Sequence, residues 1–353
     1  MKKKYILIFS DFTKNKNGRN EVTEYVLKKF SNKFNLLKIN TGIPYGSSNY
    51  TLFFKKILLI FNAITQTSNL KKKINSTYFV LSGGKGLFFD LLIIVYLKIL
   101  NKKIYIHHHS FSYLNNHSYL IYILSLIGKK NVTHIALCNL MKKKLKKYKL
   151  IKKIIVLSNI ILINKRKSFK NFNKKIKIGF ISNIDFDKGI REYFEVINNL
   201  NNKNFEGLVA GPFLNKKVKS FVLKKVKKYK NIKYLGPIYD RKKNKFYRDL
   251  DVLLFPSYYK NEAEPLVIYE AQSYNILVIS NSLGCTSAMI ENEKDGFLIS
   301  NKNEYTKKAT QILLKLQSNS VKFNKVKNNL FNKYKLKIIE NNKVFNSLLE
   351  LVN

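Results

Sequence analysis

Short runs rich in Ile, Val, Leu and Phe recur along the chain, separated by longer segments with helical periodicity. In the first half they fall at Tyr5–Phe9, Asn35–Ile39, Tyr78–Leu81, Ile104–His107, His134–Leu137 and Ile154–Leu157. In the second they fall at Ile176–Ile181, Gly207–Ala210, Ile232–Leu235, Val252–Phe255, Leu277–Ile279 and Gly296–Ile299. Strands that are apolar throughout, instead of alternating with polar residues, belong to sheets covered on both faces. The pattern therefore predicts an α/β protein with parallel, doubly wound sheets. The two series are interrupted by Leu162–Lys175 (LINKRKSFKNFNKK), which is cationic and lacks apolar periodicity. Two domains are expected, over 1–162 and 176–353, joined by a linker at 163–175. The tail from about Asn303 to Asn353 reads as helices closing the second domain, with no further strand.

Two apolar stretches, Leu87–Leu100 and Tyr119–Ile127, look suited to a membrane at first sight. The first contains Asp90 and Lys98, and the second is about half of the roughly twenty residues a spanning helix needs. Neither is predicted to cross. The start of the chain, Met1–Ser10, has three lysines and an apolar run too short for a signal-peptide core, so it reads as a first strand.

Length and composition agree with two cores: 353 residues, 45% of them apolar. Charge changes the picture more. Lys and Arg total 66 against 21 Asp and Glu, a formal +45, and only five of the 66 are Arg. Such a charge repels itself and favours acidic lipid or nucleic acid nearby. A Lys- and Asn-rich skew is also what an AT-rich genome produces, so charge alone assigns no partner. No zinc-ligand spacing, basic heptad region or aromatic ribonucleoprotein-type motif is present, and nucleic acid is not expected as the partner.

The segment richest in chemistry runs from Phe255 to Ile299. A strand ends at Pro256-Ser257, and the loop Tyr258-Tyr259-Lys260-Asn261-Glu262-Ala263-Glu264 comes next. Pro265 then sits where the first turn of a helix tolerates proline, and Leu266-Val267-Ile268-Tyr269-Glu270-Ala271 continues as that helix. Backbone N–H groups at a helix start have no partner within the helix and suit a diphosphate. Glu270, eight residues past Glu262, is placed to accept hydroxyl hydrogen bonds from a ribose, and Glu262 from a sugar beyond the phosphates. A plainer reading is that Glu262 and Glu264 favour the positive end of the helix and Glu270 is solvated.

This Glu, seven residues, Glu spacing resembles the donor-site signature of glycosyltransferase family 4, the retaining GT-B enzymes among the group 1 glycosyl transferases. Val278-Ile279-Ser280-Asn281 with Gly284, and the stretch Glu291–Ile299 (ENEKDGFLI), resemble the family's segments downstream of that signature. Upstream, Gly179–Gly189 (GFISNIDFDKG) resembles the family's first strand and phosphate turn. The resemblance places Lys188 on the lysine that contacts the donor diphosphate, with Gly189 directly after it, and puts Asn183 where the family often has Arg. It further implies that Gly211, Gly236 and Tyr239 lie near the nucleotide base, and that Glu264, Pro265, Leu266 and Val267 line the phosphates.

In the first half, His107, His108 and His109 close a strand and precede Ser110 and Phe111. Alternation turns His107 and His109 to one side and His108 to the other. The resemblance places His109 on the residue that reaches the sugar, with His107 and Ser110 on the acceptor side. A hydrogen-bonded structural cluster is the plainer alternative. Gly18, before Arg19, corresponds to the family's Gly-rich loop near the donor phosphates. Ser82-Gly83-Gly84-Lys85-Gly86 lacks the spacing of a nucleoside-triphosphatase loop and reads as a close helix start. Asp249-Leu250-Asp251 superficially matches a metal-binding Asp-x-Asp but opens a strand, and no Cys/His set has metal-ligand spacing. No metal and no cofactor are expected.

The resemblance thus implies a GT-B fold, two Rossmann-like domains facing a cleft. It implies retaining transfer from a UDP- or GDP-sugar, with Glu262, His109 and Lys188 as catalytic residues. The acceptor is expected to be a glycan, lipid-linked, in bacterial surface polysaccharide synthesis. The protein is expected in the cytoplasm, peripheral at the inner face of the cell membrane and in contact with anionic lipid. The alternatives are a non-catalytic basic protein that binds nucleic acid or a membrane surface, and another GT-B enzyme acting on a sugar nucleotide.

Overall fold

The structure, a computed structural model, describes residues 3–13, 18–42, 49–70, 73–128, 130–163, 175–200 and 204–352. Most of the predicted linker lies outside them. The chain divides into two compact units: unit 1 holds Met1–Leu162 together with Glu340–Asn353, and unit 2 holds Ile163–Ile339.

Unit 1 is built on six strands: β1 (Tyr5–Ser10), β2 (Asn35–Asn40), β3 (Ile74–Leu81), β4 (Lys103–His108), β5 (Val132–Ala136) and β6 (Ile154–Val156). Helices α1 (Gly18–Ser31), α2 (Asn49–Leu70), α3 (Gly86–Ile99), α4 (Tyr119–Ile127) and α5 (Asn139–Lys146) connect them. All pairings are parallel, in the order β2-β1-β3-β4-β5-β6. The connections β2 to β3, β3 to β4 and β4 to β5 all step in one direction across the sheet. Right-handed crossovers therefore put α2, α3 and α4 on one face, and α1, which steps the opposite way, on the other.

Unit 2 holds β7 (Ile176–Ile181), α6 (Ile190–Leu200), β8 (Phe205–Ala210), α7 (Lys216–Lys228), β9 (Ile232–Tyr234), α8 (Asp240–Asp249) and β10 (Val252–Phe255). It continues with α9 (Leu266–Ser273), β11 (Leu277–Asn281), α10 (Thr286–Met289), β12 (Phe297–Ile299), α11 (Tyr305–Ser318) and α12 (Ser320–Val352). Its sheet is again parallel, in the order β12-β11-β10-β7-β8-β9. The chain runs outward from β7 to β9, returns to β10 beside β7, and runs outward the other way. The strand order reverses between β7 and β10, where sheets of this kind bind ligands beyond the strands' carboxyl ends. The core beneath is aliphatic and aromatic, with Ile178, Phe180, Val209, Val252, Leu254 and Ile279 from the strands fully or almost fully buried.

Among the described residues twelve strands appear where twelve apolar runs were read, with shifts of a few residues at their ends, and two departures bear on the argument. Strand β3 begins at Ile74, four residues before the predicted Tyr78, because Ser76 and Thr77 are buried polar members of it. Ser76 Oγ donates to the Val352 carbonyl at 2.9 Å, which satisfies a hydroxyl that interrupts the apolar pattern. The second departure is a correction: the tail does not belong wholly to the second domain. The end of α12 packs into unit 1, where Phe345 stacks on Phe30 of α1 with ring centroids 6.2 Å apart. Leu348, Leu349 and Val352 are buried with it, and the Ser158 N–H donates to Asn341 Oδ1.

Candidate functional site

The carboxyl ends of β7 and β10 carry the candidate site of unit 2. After β7 the chain turns through Ser182, the exposed Asn183 and a single 3₁₀ turn at Phe186–Lys188. Asp185 caps that turn by accepting from the Phe186 N–H at 2.9 Å. Gly189 ends it in the left-handed region at φ 81°, and a β-carbon there would stand 2.3 Å from the Pro256 carbonyl oxygen. Only glycine lets the turn after β7 lie this close to the end of β10. A backbone bond from the Tyr258 N–H to the Asp187 carbonyl fixes the two segments together.

That closeness brings Lys188 onto Glu262. The ammonium lies 2.6 Å from Oε2, both side chains are largely buried, and the Ser257 hydroxyl reaches the same oxygen at 3.3 Å. The Lys188 ammonium also sits 4.3 Å from the centroid of the Tyr259 ring, a cation–π contact. The loop carrying Glu262 is held from behind by Gly284, at φ 56°, whose β-carbon would come within 2.4 Å of the Glu262 carbonyl oxygen. The Cys285 N–H donates to the neighbouring Ala263 carbonyl.

Glu270 lies in the second turn of α9. Its Oε1 meets the Lys243 ammonium at 2.5 Å and its Oε2 accepts from the Tyr247 hydroxyl at 2.7 Å. Each carboxylate oxygen keeps lone-pair capacity beyond these bonds. Pro265 is not in the first turn as predicted. Its ψ of 119° is extended, so it forms the N-cap and the helix begins at Leu266. The amides of Leu266 and Val267 are first-turn groups without an i−4 partner. Glu264 is buried and accepts from the Tyr269 hydroxyl at 2.8 Å, turned into the core.

The three positions read as lying near a base fall at the ends of β8 and β9 and the start of α8. The Gly211 N–H donates to the Gly236 carbonyl at 2.9 Å, and the Tyr234 hydroxyl donates to the Gly211 carbonyl at 2.8 Å. Gly211 adopts φ 123°, and a β-carbon would overlap the Ser182 carbonyl oxygen at 1.8 Å. Tyr239 caps α8 and is half exposed. Asp251 is buried and accepts from the Lys177 N–H at 2.9 Å, tying the start of β10 to β7. Among the described residues no group of three or more His, Cys, Asp or Glu is arranged to hold a metal ion.

In unit 1 the histidines split as alternation predicts. His107 and His109 lie ring to ring with centroids 4.0 Å apart. His107 Nδ1 shares a 2.5 Å hydrogen bond with the Tyr78 hydroxyl. His108, on the other side, bonds through Nδ1 to the Tyr113 hydroxyl and through Nε2 to His134 Nδ1 at 2.9 Å. Burial pushes all four imidazoles down, His107 to about 3 and His134 to about 4, because a charged ring cannot be solvated there. His109 is therefore neutral at pH 7, able to donate one hydrogen bond and accept one, and its Nε2 is buried without a partner. Beside it, Ser110 Oγ donates to Ser112 Oγ at 2.9 Å. Gly18 opens α1, exposed, next to Arg19, whose guanidinium pairs with Asp11 Oδ2 at 3.0 Å. Asp90, buried in α3, accepts from the Ser82 N–H at 2.6 Å and is pushed up to about 6 by burial.

Residues 161–330 match the family model described as glycosyl transferases group 1. The match falls almost entirely within unit 2. The matched stretch is just under half of the chain and contains Lys188, Glu262 and Glu270. Over the full length the likeness is to solved structures. Anabaena HepE, crystallised with UDP-glucose, is 10% identical at TM-score 0.70, with 98% of this chain and 99% of that one covered. A glycosyltransferase from Rickettsia africae ESF-5 is 18% identical at TM-score 0.70, covering 100% and 98%. Sucrose-phosphate synthase from Thermosynechococcus elongatus is 11% identical at TM-score 0.71, covering 99% and 98%. The fold is that of the GT-B glycosyltransferases. No curated protein matches the sequence.

Sequence reasoning singled out Lys188, Glu262 and Glu270 but not the side chains that contact Glu270. Lys243 and Tyr247 come from α8, 27 and 23 residues before Glu270. Nothing in the sequence separates Lys243 from the other 65 cationic side chains. Asp11 and Asp90, near Gly18 and the Ser82 turn, were missed likewise. The near-absence of acidic residues in this half was the available signal for both.

Proposed function

We propose that the chain is a retaining glycosyltransferase that moves a sugar from a nucleotide-diphosphate sugar to a hydroxyl of a glycan acceptor. The observation that carries the reading is the Lys188–Glu262 pair at the β7/β10 reversal, with Glu270 eight residues on and held by Lys243 and Tyr247. The diphosphate lies on the amides that begin α9 and draws the Lys188 ammonium to itself, where the cation offsets the charge departing with the nucleotide. Glu262, released from its lysine, turns to the sugar hydroxyls. Glu270 accepts from the ribose while Lys243 and Tyr247 fix its orientation. Gly211, Gly236 and Tyr239 border the base. In the first unit, the neutral imidazole of His109 is the group we assign to a sugar hydroxyl, and His107 and Ser110 to the acceptor side.

The acceptor attacks on the face from which the nucleotide leaves, so the anomeric configuration is kept without a protein nucleophile. This differs from retaining glycosidases, which use two carboxylates about 5 Å apart. No metal ion takes part in this scheme, since Lys188 and the helix amides meet the phosphate charge. The acceptor we favour is lipid-linked, as in the assembly of bacterial surface polysaccharide, and is met at the inner face of the cell membrane. The formal +45 supports that placement.

A thermal-shift panel of UDP, GDP, ADP and their sugar conjugates, each with magnesium and with EDTA, tests the donor site. One nucleotide class should stabilise the protein, equally with EDTA, and the shift should vanish in Glu270→Ala. No shift with any nucleotide would remove the reading and favour the non-catalytic basic binder. Once a donor is found, an inverted anomer in the product would sink the retaining mechanism.

A further inference from the structure

Helices α2, α3 and α4 lie on one face of the first sheet, α2 packed on α3 and α3 on α4. The Tyr96 hydroxyl of α3 donates to the Ile64 carbonyl of α2, which fixes the first two together. Each helix buries one stripe and presents a second apolar stripe outward. In α2 the outward residues fall at Phe54 and three, four and seven positions on; in α4 they repeat that spacing from Tyr119; in α3 they fall at Phe88 and four, seven and eleven on. These are the periods of a single helical face. Phe61, Ile99 and Tyr119 are 64%, 75% and 79% exposed.

Twelve of the 22 large apolar side chains that are exposed among the described residues lie on these three helices. At roughly half of about 200 Å² each they form a surface on the order of 1,000 Å². A monomer that stays in water seldom exposes more than a few hundred Å² of contiguous apolar surface. No helix among the described residues is long and apolar enough to cross a membrane, so whatever covers this face meets it from outside.

Charge identifies the occupant. Between Glu24 and Asp185 the sequence has one carboxylate, Asp90, and it is buried. Positions 49–130, which hold the three helices, contain eleven lysines. A cavity of about 310 Å³ just past α4 sets Lys130, one of these eleven, together with Lys152 and Lys153. A second copy of the chain would set lysines against lysines, with no exposed carboxylate in the segment to neutralise them. An anionic bilayer meets both demands, apolar acyl chains for the stripes and acidic headgroups for the rim.

We propose that the α2–α3–α4 face of unit 1 is a docking surface for an anionic lipid bilayer, lying in the interface with its outward stripes among the acyl chains. The inference builds on the proposed membrane-side acceptor and names the surface that meets the membrane.

The test uses the full chain and co-sedimentation with vesicles of phosphatidylcholine, with and without about a third phosphatidylglycerol. The face variant is Phe61→Glu, Ile99→Glu and Tyr119→Glu together, one solvent-exposed site per helix. A charge-matched control is Leu223→Glu, Leu314→Glu and Val321→Glu, exposed positions on α7, α11 and α12. Wild type should bind only the acidic vesicles, the face variant should lose at least about ten-fold in partitioning, and the control should stay near wild type. Equal loss in both variants, no loss in the face variant, or no vesicle binding by wild type would overturn the proposal. So would a wild-type dimer that the face variant dissociates. Nucleotide thermal shifts should be the same in all three proteins; their absence in wild type would instead strike at the donor reading.

Discussion

Acidification from pH 7 to pH 5 should destabilise this protein through its first unit. His107 and His134 are buried neutral, with folded values near 3 and 4 against 6.5 for a free imidazole. In the unfolded chain both take up a proton as pH falls through 6.5, and in the folded chain neither does until far lower. The unfolded state binds more protons throughout that window, so stability falls as pH falls. At pH 5 each ring contributes a loss of about 2 kcal/mol, together about 4 kcal/mol. Asp90 works the other way. Its folded value of about 6 against 3.8 means that the folded state takes the proton first, and it regains about 1 kcal/mol over the same interval. The net loss is about 3 kcal/mol before His108 and His109, which are displaced in the same direction as His107, are added. Domains are commonly stable by about 5 to 15 kcal/mol, so the effect is large.

Urea melts monitored by circular dichroism at pH 7 and pH 5 measure the loss directly. In His134→Gln the drop between the two pH values should shrink by about 2 kcal/mol, since an amide keeps hydrogen-bonding capacity without a titration. A wild-type stability that is level between pH 5 and pH 7 would refute the argument. So would a pH dependence that His134→Gln leaves untouched.

Three further outcomes are expected. Glu262→Ala and Lys188→Ala should each lower sugar transfer by roughly ten- to hundred-fold in a donor-saturated assay, the scale of one lost transition-state contact; activity within two-fold of wild type would detach the pair from the chemistry. Gly284→Ala forces a β-carbon to 2.4 Å from the Glu262 carbonyl at a positive φ. It should cost on the order of 2 kcal/mol of stability and reduce transfer beyond that loss; an unchanged melting temperature would show that the loop yields. Asp251→Ala should destabilise unit 2 by about 1 to 3 kcal/mol through the stranded Lys177 N–H, while donor binding by the folded fraction stays insensitive to EDTA.

Much of the fold was legible because parallel strands are buried on both faces and leave uninterrupted apolar runs. Legibility failed where a polar residue was satisfied from a distance. Ser76 and Thr77 concealed the start of β3, and the partner of Ser76 is Val352, 276 positions away. The destination of the last helix was hidden for the same reason: Phe345 and Leu348 are spaced for a helix, and spacing does not say whose core they enter. In the site, Glu262 and Glu270 were visible by interval, and Lys188 by its place after a strand. Their supports were not, because the Lys243 and Tyr247 contacts exist only once α8 is laid against α9.

Helix α12 also has a consequence for how the chain is made. Unit 1 begins the sequence, yet its surface over Phe30 is completed by residues beyond Glu340. On the ribosome the early half emerges first and waits for its covering segment while roughly 180 further residues are synthesised, on the order of 10 to 35 s at bacterial or eukaryotic elongation rates. During that interval Phe30 and its neighbours lack the aromatic cover of Phe345. A nascent chain stalled before residue 340 should therefore hold a sticky, protease-sensitive first half, even with every residue of its sheet already outside the tunnel.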